Sequence, residues 1–141
     1  MNKVTLALTI SVLSATSSLA QTSKWVYFST DHSKECDDRT CVNQYLDPSS
    51  RKTHGWREEE VTILWNYGEG VQNSVGSVYG RSQVETVIFE CDKSKMKFSS
   101  RTWYKLANAK GGIVEKEQVN RKWGPIPYNY ILLFGRICVG G

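Results

Sequence analysis

The chain has 141 residues and a formal net charge of +4 at pH 7, with 18 Lys and Arg residues against 14 Asp and Glu residues. This length fits one domain, and the positive charge is too small to predict a nucleic-acid-binding protein. We therefore expect a single domain that has no nucleic acid partner.

The N-terminus has the pattern of a secretory signal peptide. Lys3 precedes an apolar run over residues 4–13, and small residues around Ala20 fit the positions that a signal peptidase reads. Cleavage after residues 1–20 would leave residues 21–141 as the exported domain. The apolar run is too short to cross a bilayer, and no cysteine follows the cleavage point to carry a lipid. We expect an exported protein, periplasmic or at the cell surface, that is not lipid-anchored.

The cysteine count predicts two disulfides. The four cysteines lie in the exported part, at Cys36, Cys41, Cys91 and Cys138. An even number in an oxidising compartment predicts a disulfide framework, with three possible connectivities. Cys36 and Cys41 are close in sequence and flank a turn-forming stretch, which favours a local Cys36–Cys41 bridge. The second bridge is then Cys91–Cys138.

Short runs with period-two alternation predict an antiparallel sheet of about six strands. The strands are predicted over residues 24–29, 39–46, 59–67, 83–91, 95–106 and 113–119. The second run ends at Asp47-Pro48-Ser49-Ser50, which is a turn signal. After Pro127 the spacing changes to that of one face of a helix. The apolar positions of that helix are Tyr130, Leu133, Phe134, Ile137 and Cys138.

The two predicted elements that carry Cys91 and Cys138 fit together. Cys138 falls on the apolar stripe of the helix, and Cys91 shares a strand face with Val87 and Phe89. A bridge between them would hold the helix on the sheet. The sequence therefore predicts an α+β domain with one C-terminal helix packed on a face of an antiparallel sheet.

A basic stripe is the best candidate binding surface. If residues 93–105 are extended, alternate side chains point the same way, about 7 Å apart. The stripe consists of Lys93, Lys95, Lys97, Arg101, Trp103 and Lys105. A stripe of this kind would dock an acidic partner such as a sulfated glycan, an acidic protein segment or a membrane surface. The alternative is a solvated strand face whose lysines oppose edge-to-edge aggregation.

The patterns that would predict catalysis or metal binding are weak. His32, Cys36, Cys41 and His54 form a conceivable zinc site, but thiols in an exported chain oxidise first. A hydrolase is also disfavoured, because the chain has two histidines and lacks the Gly-x-Ser-x-Gly motif. The three glutamates at residues 58–60 lead into a predicted strand, and such a run is typical of a solvated edge and not of paired catalytic carboxylates. We expect no enzyme, no cofactor and no metal.

An ordered set of Trp, Gly and Cys motifs resembles the surface-adhesin E domain family of exported bacterial proteins. The resemblance covers residues 24 to 139, nearly the whole exported part. Its motifs are Trp25 with Asp31, the strand Val61-Thr-Ile-Leu-Trp65, Tyr79-Gly-Arg-Ser82, Phe89-Glu-Cys91, Trp123-Gly-Pro-Ile-Pro, and Ile137-Cys138. The family implies an antiparallel sheet, a C-terminal helix and a bridge corresponding to Cys91–Cys138. Its name comes from outer-membrane adhesins that bind host extracellular-matrix proteins.

Three function classes follow from these patterns. The first is an exported, non-enzymatic, adhesin-like binding protein that docks acidic or matrix partners through the basic stripe. The second is a periplasmic inhibitor or accessory partner of another exported protein, and the third is a small hydrolase. The expected partner is a protein or an acidic glycan, and a second copy of the chain in a homodimer is a further candidate.

Overall fold

A computed structural model describes residues 24–31, 41–72, 78–119 and 121–140. The predicted signal peptide, residues 1–20, lies outside these ranges. So do Cys36 and His32. The predicted Cys36–Cys41 bridge therefore stays a prediction, although Cys41 does not carry a free thiol.

The described chain forms one antiparallel sheet in which each strand pairs with the next along the sequence. The strands are β1 Val26–Asp31, β2 Val42–His54, β3 Glu58–Gln72, β4 Val78–Glu90, β5 Lys95–Leu106 and β6 Lys110–Gln118, with a two-residue strand β7 Gly124–Pro125. The order is β1-β2-β3-β4-β5-β6, and β7 pairs with β5 beyond the end of β6. The predicted six-stranded antiparallel sheet is confirmed.

One face of the sheet carries the hydrophobic core. Val61, Ile63 and Trp65 alternate along β3, and Val87 and Phe89 alternate along β4, with Val87 opposite Val61. Side chains two apart on a strand share a face, so these side chains form the apolar part of one surface of the sheet. We call this surface the helix-side face, because the C-terminal helical segment covers part of it.

The turn predicted at the end of the second strand was wrong, because β2 runs on to His54. The turn-forming residues make an irregularity inside the strand instead, where the register with β3 shifts between Asp47 and Lys52. The Asp47 carboxylate accepts hydrogen bonds from the Ser49 backbone and hydroxyl, at 3.1 and 2.5 Å. Ser50 Oγ then accepts from the Thr62 backbone N–H at 2.8 Å. These bonds replace the backbone hydrogen bonds that are missing between β2 and β3 at this point, so the strand continues past the turn residues.

The C-terminal helical segment (residues 128–139) is a 3₁₀ turn, a short α-helix and a π turn in succession. Their bounds are Tyr128–Tyr130, Ile131–Phe134 and Gly135–Val139. Tyr130, Leu133 and Ile137 are the buried residues of this segment, as the helical spacing predicts.

The segment is tied to the sheet covalently and by a hydrogen bond. A disulfide joins Cys91, at the end of β4, to Cys138, which confirms that predicted bridge. Arg51 Nη2 also donates to the Ile137 carbonyl at 3.1 Å. The helix therefore packs on the sheet as predicted.

Candidate functional site

A β-bulge in β5 divides the basic stripe between the two faces of the sheet. Phe98 lies opposite Val87, but Ser100 lies opposite Thr86, so Ser99 is the extra residue. One extra residue reverses the alternation of every side chain beyond it. The prediction of a single continuous face was therefore wrong, because regular alternation was assumed across residues 93–105. The binding role of the stripe residues stays a prediction.

Lys95 and Lys97 lie on the face opposite the helix, whereas Lys93 lies in a 3₁₀ turn, Cys91–Lys93, that precedes β5 and is not extended as predicted. Lys95 pairs in register with Glu90, and Lys97 pairs with Ile88. Lys93 forms an ion pair with Glu90, which lowers the net charge there. Lys97 Nζ lies 4.4 Å from the centre of the Trp123 ring, so the indole beside these lysines is Trp123 and not Trp103.

The second half of the stripe lies on the helix-side face. Arg101 pairs in register with Glu85, and Trp103 pairs with Gln83. Regular alternation beyond Trp103 brings Lys105 to the same face. Arg101 Nε donates to Glu85 Oε1 at 2.7 Å, and only 2% of the Glu85 side chain is exposed, against 21% of the Arg101 side chain.

The Glu85 carboxylate is the centre of a buried polar network. Besides Arg101, it accepts hydrogen bonds from the Gln83 side-chain amide and from the Tyr130 hydroxyl. Gln83 in turn accepts from the Tyr67 hydroxyl at 3.3 Å. The network joins β3, β4, β5 and the C-terminal helical segment. It satisfies a charge that would be costly to bury alone.

The network also fixes protonation states. Burial, followed by the negative charge of Glu85, raises the pKa of Tyr130 far above its ordinary value. Partial burial acts to lower the pKa of Arg101, but the charge of Glu85 and its hydrogen bond outweigh that effect, and the pKa is raised. Tyr130 is therefore a neutral donor and Arg101 a permanent cation at physiological pH.

An open cleft of about 390 Å³ lies over this network, between the sheet and the C-terminal helical segment. The lining residues are Trp65, Tyr67, Gln83, Glu85, Phe98, Arg101, Arg121, Pro127, Asn129 and Tyr130. Two of them are guanidinium groups and one is a carboxylate. Most of the others are aromatic, so the cleft combines a positive charge with apolar walls.

The two guanidinium groups of the cleft lie against the same aromatic ring. Arg101 is 5.6 Å and Arg121 is 5.0 Å from the centre of the Phe98 ring. Arg121 is exposed and forms no ion pair with any residue that the structure describes. Glu117 lies opposite Arg101 on β6 and is not among the residues that line the cleft.

Trp65 lines the cleft with its ring and carries a buried donor without a partner. The residue is only 4% exposed, and its Nε1 is the one buried side-chain nitrogen or oxygen of the described residues without a hydrogen-bond partner. Leaving a buried donor unsatisfied costs about 1–3 kcal/mol, so the surrounding packing has to offset that cost.

An aromatic group extends the helix-side face beyond the cleft. The Trp103 ring stacks on Tyr67, with 5.5 Å between the ring centres, and meets Tyr79 edge to face at 5.5 Å. Aromatic rings beside arginine are the residue types that contribute most energy to protein interfaces. The helix-side half of the stripe is thus embedded in a surface suited to binding.

The disfavoured zinc site of His32, Cys36, Cys41 and His54 lies only partly within the residues that the structure describes. His54 Nε2 lies 3.0 Å from the Glu60 carboxylate, on the hairpin between β2 and β3. Cys41 precedes β2 at its other end, and the remaining two residues lie outside the described ranges. No group of three potential metal ligands occurs within residues 24–31, 41–72, 78–119 and 121–140.

Glu85, Arg121 and Tyr130 were not predicted as site residues from the sequence. Glu85 was detectable, because it interrupts the apolar alternation that Val87 and Phe89 establish on β4. A charged residue at a core-facing position indicates a buried partner. Arg121 follows β6 in an irregular stretch, and no pattern in the sequence places it beside Phe98.

Comparison with known proteins identifies the family. A family model described as Surface-adhesin protein E matches residues 25–138, which confirms the predicted resemblance. No curated protein and no solved structure matches the chain. In the part of the chain that the structure describes, no helix has the length and apolar character needed to span a membrane. The matched family is one of exported, adhesin-like surface proteins, and this chain belongs to it.

Proposed function

We propose that this protein is a non-enzymatic, adhesin-like binding protein that docks an acidic macromolecular partner through its helix-side face. The observation that carries the proposal is the position of Arg101. Glu85 holds its guanidinium in place at 2.7 Å, at the edge of a cleft walled by aromatic side chains. A charged donor fixed before binding loses little conformational entropy when a partner arrives.

Ion pairs partly neutralise the opposite face, where Lys97 and Lys116 form none among the described residues. On the opposite face, Glu90 lies beside Lys93 and Lys95, and Glu60 lies beside Lys52 and His54. These lysines already have anionic neighbours. On the helix-side face, the exposed Arg121 has no ion pair among the described residues, so it is available to an acidic partner.

A pair of charge-matched variants tests which face binds. The first variant is Lys105→Glu with Arg121→Glu, on the helix-side face. The second is Lys95→Glu with Lys116→Glu, on the opposite face, where Lys116 pairs with Thr102. Both variants change the net charge by the same amount, and all four side chains are exposed. Arg101 itself is left intact, because reversing it would place two carboxylates together in the core.

The readout is the salt concentration that elutes each variant from immobilised heparin and from immobilised matrix protein. We expect the helix-side variant to elute at clearly lower salt than the wild type, and the opposite-face variant to change little. Equal shifts of both variants would show that only net charge matters, and a shift of the opposite-face variant alone would move the site to the lysine half of the stripe. Either result would contradict the proposal.

A further inference from the structure

We propose that the cleft beside Tyr130 binds a carboxylate attached to an aromatic or apolar group. Such a group occurs at the C-terminal residue of a polypeptide and in a small aromatic acid. The inference rests on the proposed function, since the cleft lies within the helix-side face and would supply its most selective contact.

The donors fit a planar oxyanion. Arg101 Nε is engaged by Glu85 at 2.7 Å, which fixes the plane of the guanidinium and leaves its two terminal nitrogens for a ligand. Arg121 lies against the same Phe98 ring, 5.0 Å from its centre. Guanidinium groups bind carboxylates through two parallel N–H···O bonds, which a single lysine does not match.

The charge fits a single negative group. The charged residues that line the cleft are Arg101, Arg121 and Glu85, so one positive charge lacks a counter-charge within the lining. A carboxylate supplies one negative charge. A phosphate monoester carries close to two, and its second charge would lack a counter-charge in the lining and would lie near Glu85.

The walls fit an apolar or aromatic body next to that carboxylate. Trp65, Tyr67, Phe98, Pro127 and Tyr130 line the cleft. A volume of about 390 Å³ is at the small end for ligand pockets, so it suits one side chain or a small molecule.

The test uses N-acetylphenylalanine and its uncharged C-terminal amide as matched probes. Binding is followed by NMR through the indole N–H resonance of Trp65, assigned by its loss in a Trp65→Phe variant. We expect the acid to shift this resonance and to bind at least tenfold more tightly than the amide. Equal binding of the two probes would overturn the carboxylate assignment.

Variants of exposed residues locate the site. Arg121→Gln should weaken binding of the acid at least fivefold, and Arg121→Lys should restore only part of it. The control is Lys116→Gln on the opposite face, which should bind like the wild type. Each variant is first checked for an unchanged thermal midpoint. Unchanged affinity in Arg121→Gln would refute the placement of the carboxylate.

Further probes separate the two sources of the carboxylate and the competing glycan. Tighter binding of acetyl-Gly-Gly-Phe than of N-acetylphenylalanine would assign the cleft to a polypeptide terminus, and equal binding would assign it to a small acid. A sulfated heparin disaccharide that shifts the Trp65 resonance when neither acid does would overturn the inference. If neither acid binds while the helix-side variant still elutes early from heparin, the cleft assignment fails and the docking face stands.

Discussion

Removing one member of the Glu85–Arg101 pair should destabilise the fold more than removing both. In Glu85→Leu, the guanidinium of Arg101 and the hydroxyl of Tyr130 lose their shared acceptor. Breaking a buried ion pair typically costs about 3–5 kcal/mol. Because 21% of the Arg101 side chain is exposed, water recovers part of its solvation, so we expect a loss at the lower end, about 3 kcal/mol.

The reciprocal change should cost more. In Arg101→Met, the Glu85 carboxylate remains with only 2% of its side chain exposed, and it keeps only the neutral donors on Gln83 and Tyr130. Its charge is then buried without a counter-charge, and we expect a loss of about 4 kcal/mol. The double variant Glu85→Leu with Arg101→Met removes both charges together, so only the neutral donors on Tyr130 and Gln83 lose their acceptor. Its loss should be about 2 kcal/mol, below that of either single variant.

The free energy of unfolding, measured by urea denaturation with the disulfides intact, gives all three values and the coupling between the sites. A control substitution, Glu117→Gln, removes an exposed carboxylate near Arg101 and should change stability by less than about 0.5 kcal/mol. The reasoning is refuted if the losses of the single variants add up in the double variant, since additivity would mean that the two side chains do not interact. A loss below about 1 kcal/mol in Glu85→Leu would refute it as well.

Three further predictions concern the rest of the fold. Replacing Cys91 and Cys138 by alanine opens a crosslink that spans 47 residues and should lower the free energy of unfolding in urea by about 4 kcal/mol; an unchanged midpoint would show that other contacts hold the helix. The hydrogen bond from Arg51, followed by that from Thr53, keeps the pKa of Glu59 below its usual value. Glu59 therefore stabilises the fold at pH values above its unfolded-state pKa, and this stabilisation is lost as the pH falls through its folded-state pKa. Denaturation between pH 6 and pH 2 should therefore show a shallower loss of stability in Glu59→Gln than in the wild type, and parallel curves would contradict this. A Cβ atom at Gly80 would lie 2.8 Å from a carbonyl oxygen of β5, so Gly80→Ala should cost about 1–3 kcal/mol in the same assay, and a neutral result would show that the strands can separate there.

The sequence determined the elements that depend on local pattern. Period-two alternation marked β3 and β4 because one face of each strand is buried and the other is not. Helical spacing after Pro127 marked the C-terminal segment for the same reason. The Cys91–Cys138 bridge could be predicted because each cysteine continues the apolar pattern of its own segment, and that pattern is visible in each segment alone.

The irregularities within strands were not predictable from local pattern. No strong turn residue in the sequence indicates the bulge at Ser99. The bulge is defined by the register with β4, that is, by which residues of β4 lie opposite the residues around Ser99. The opposite error was made at residues 47–50. They have the pattern of a turn but lie inside a strand, because pairing of β2 with β3 resumes beyond them. In both cases the pairing partner decided the outcome, and the partner is remote in sequence.

The basic stripe shows most clearly which features the sequence determines and which the tertiary structure determines. Its residues were identified from the sequence alone, because charge and residue type are properties of single positions. Only the tertiary structure placed Arg101 and Trp103 on one face and Lys95 and Lys97 on the other, since one inserted residue reverses every side chain after it. Only the tertiary structure brought Glu85, Tyr130 and Arg121 from three separate elements to the same cleft, because long-range packing, and not local spacing, sets those distances.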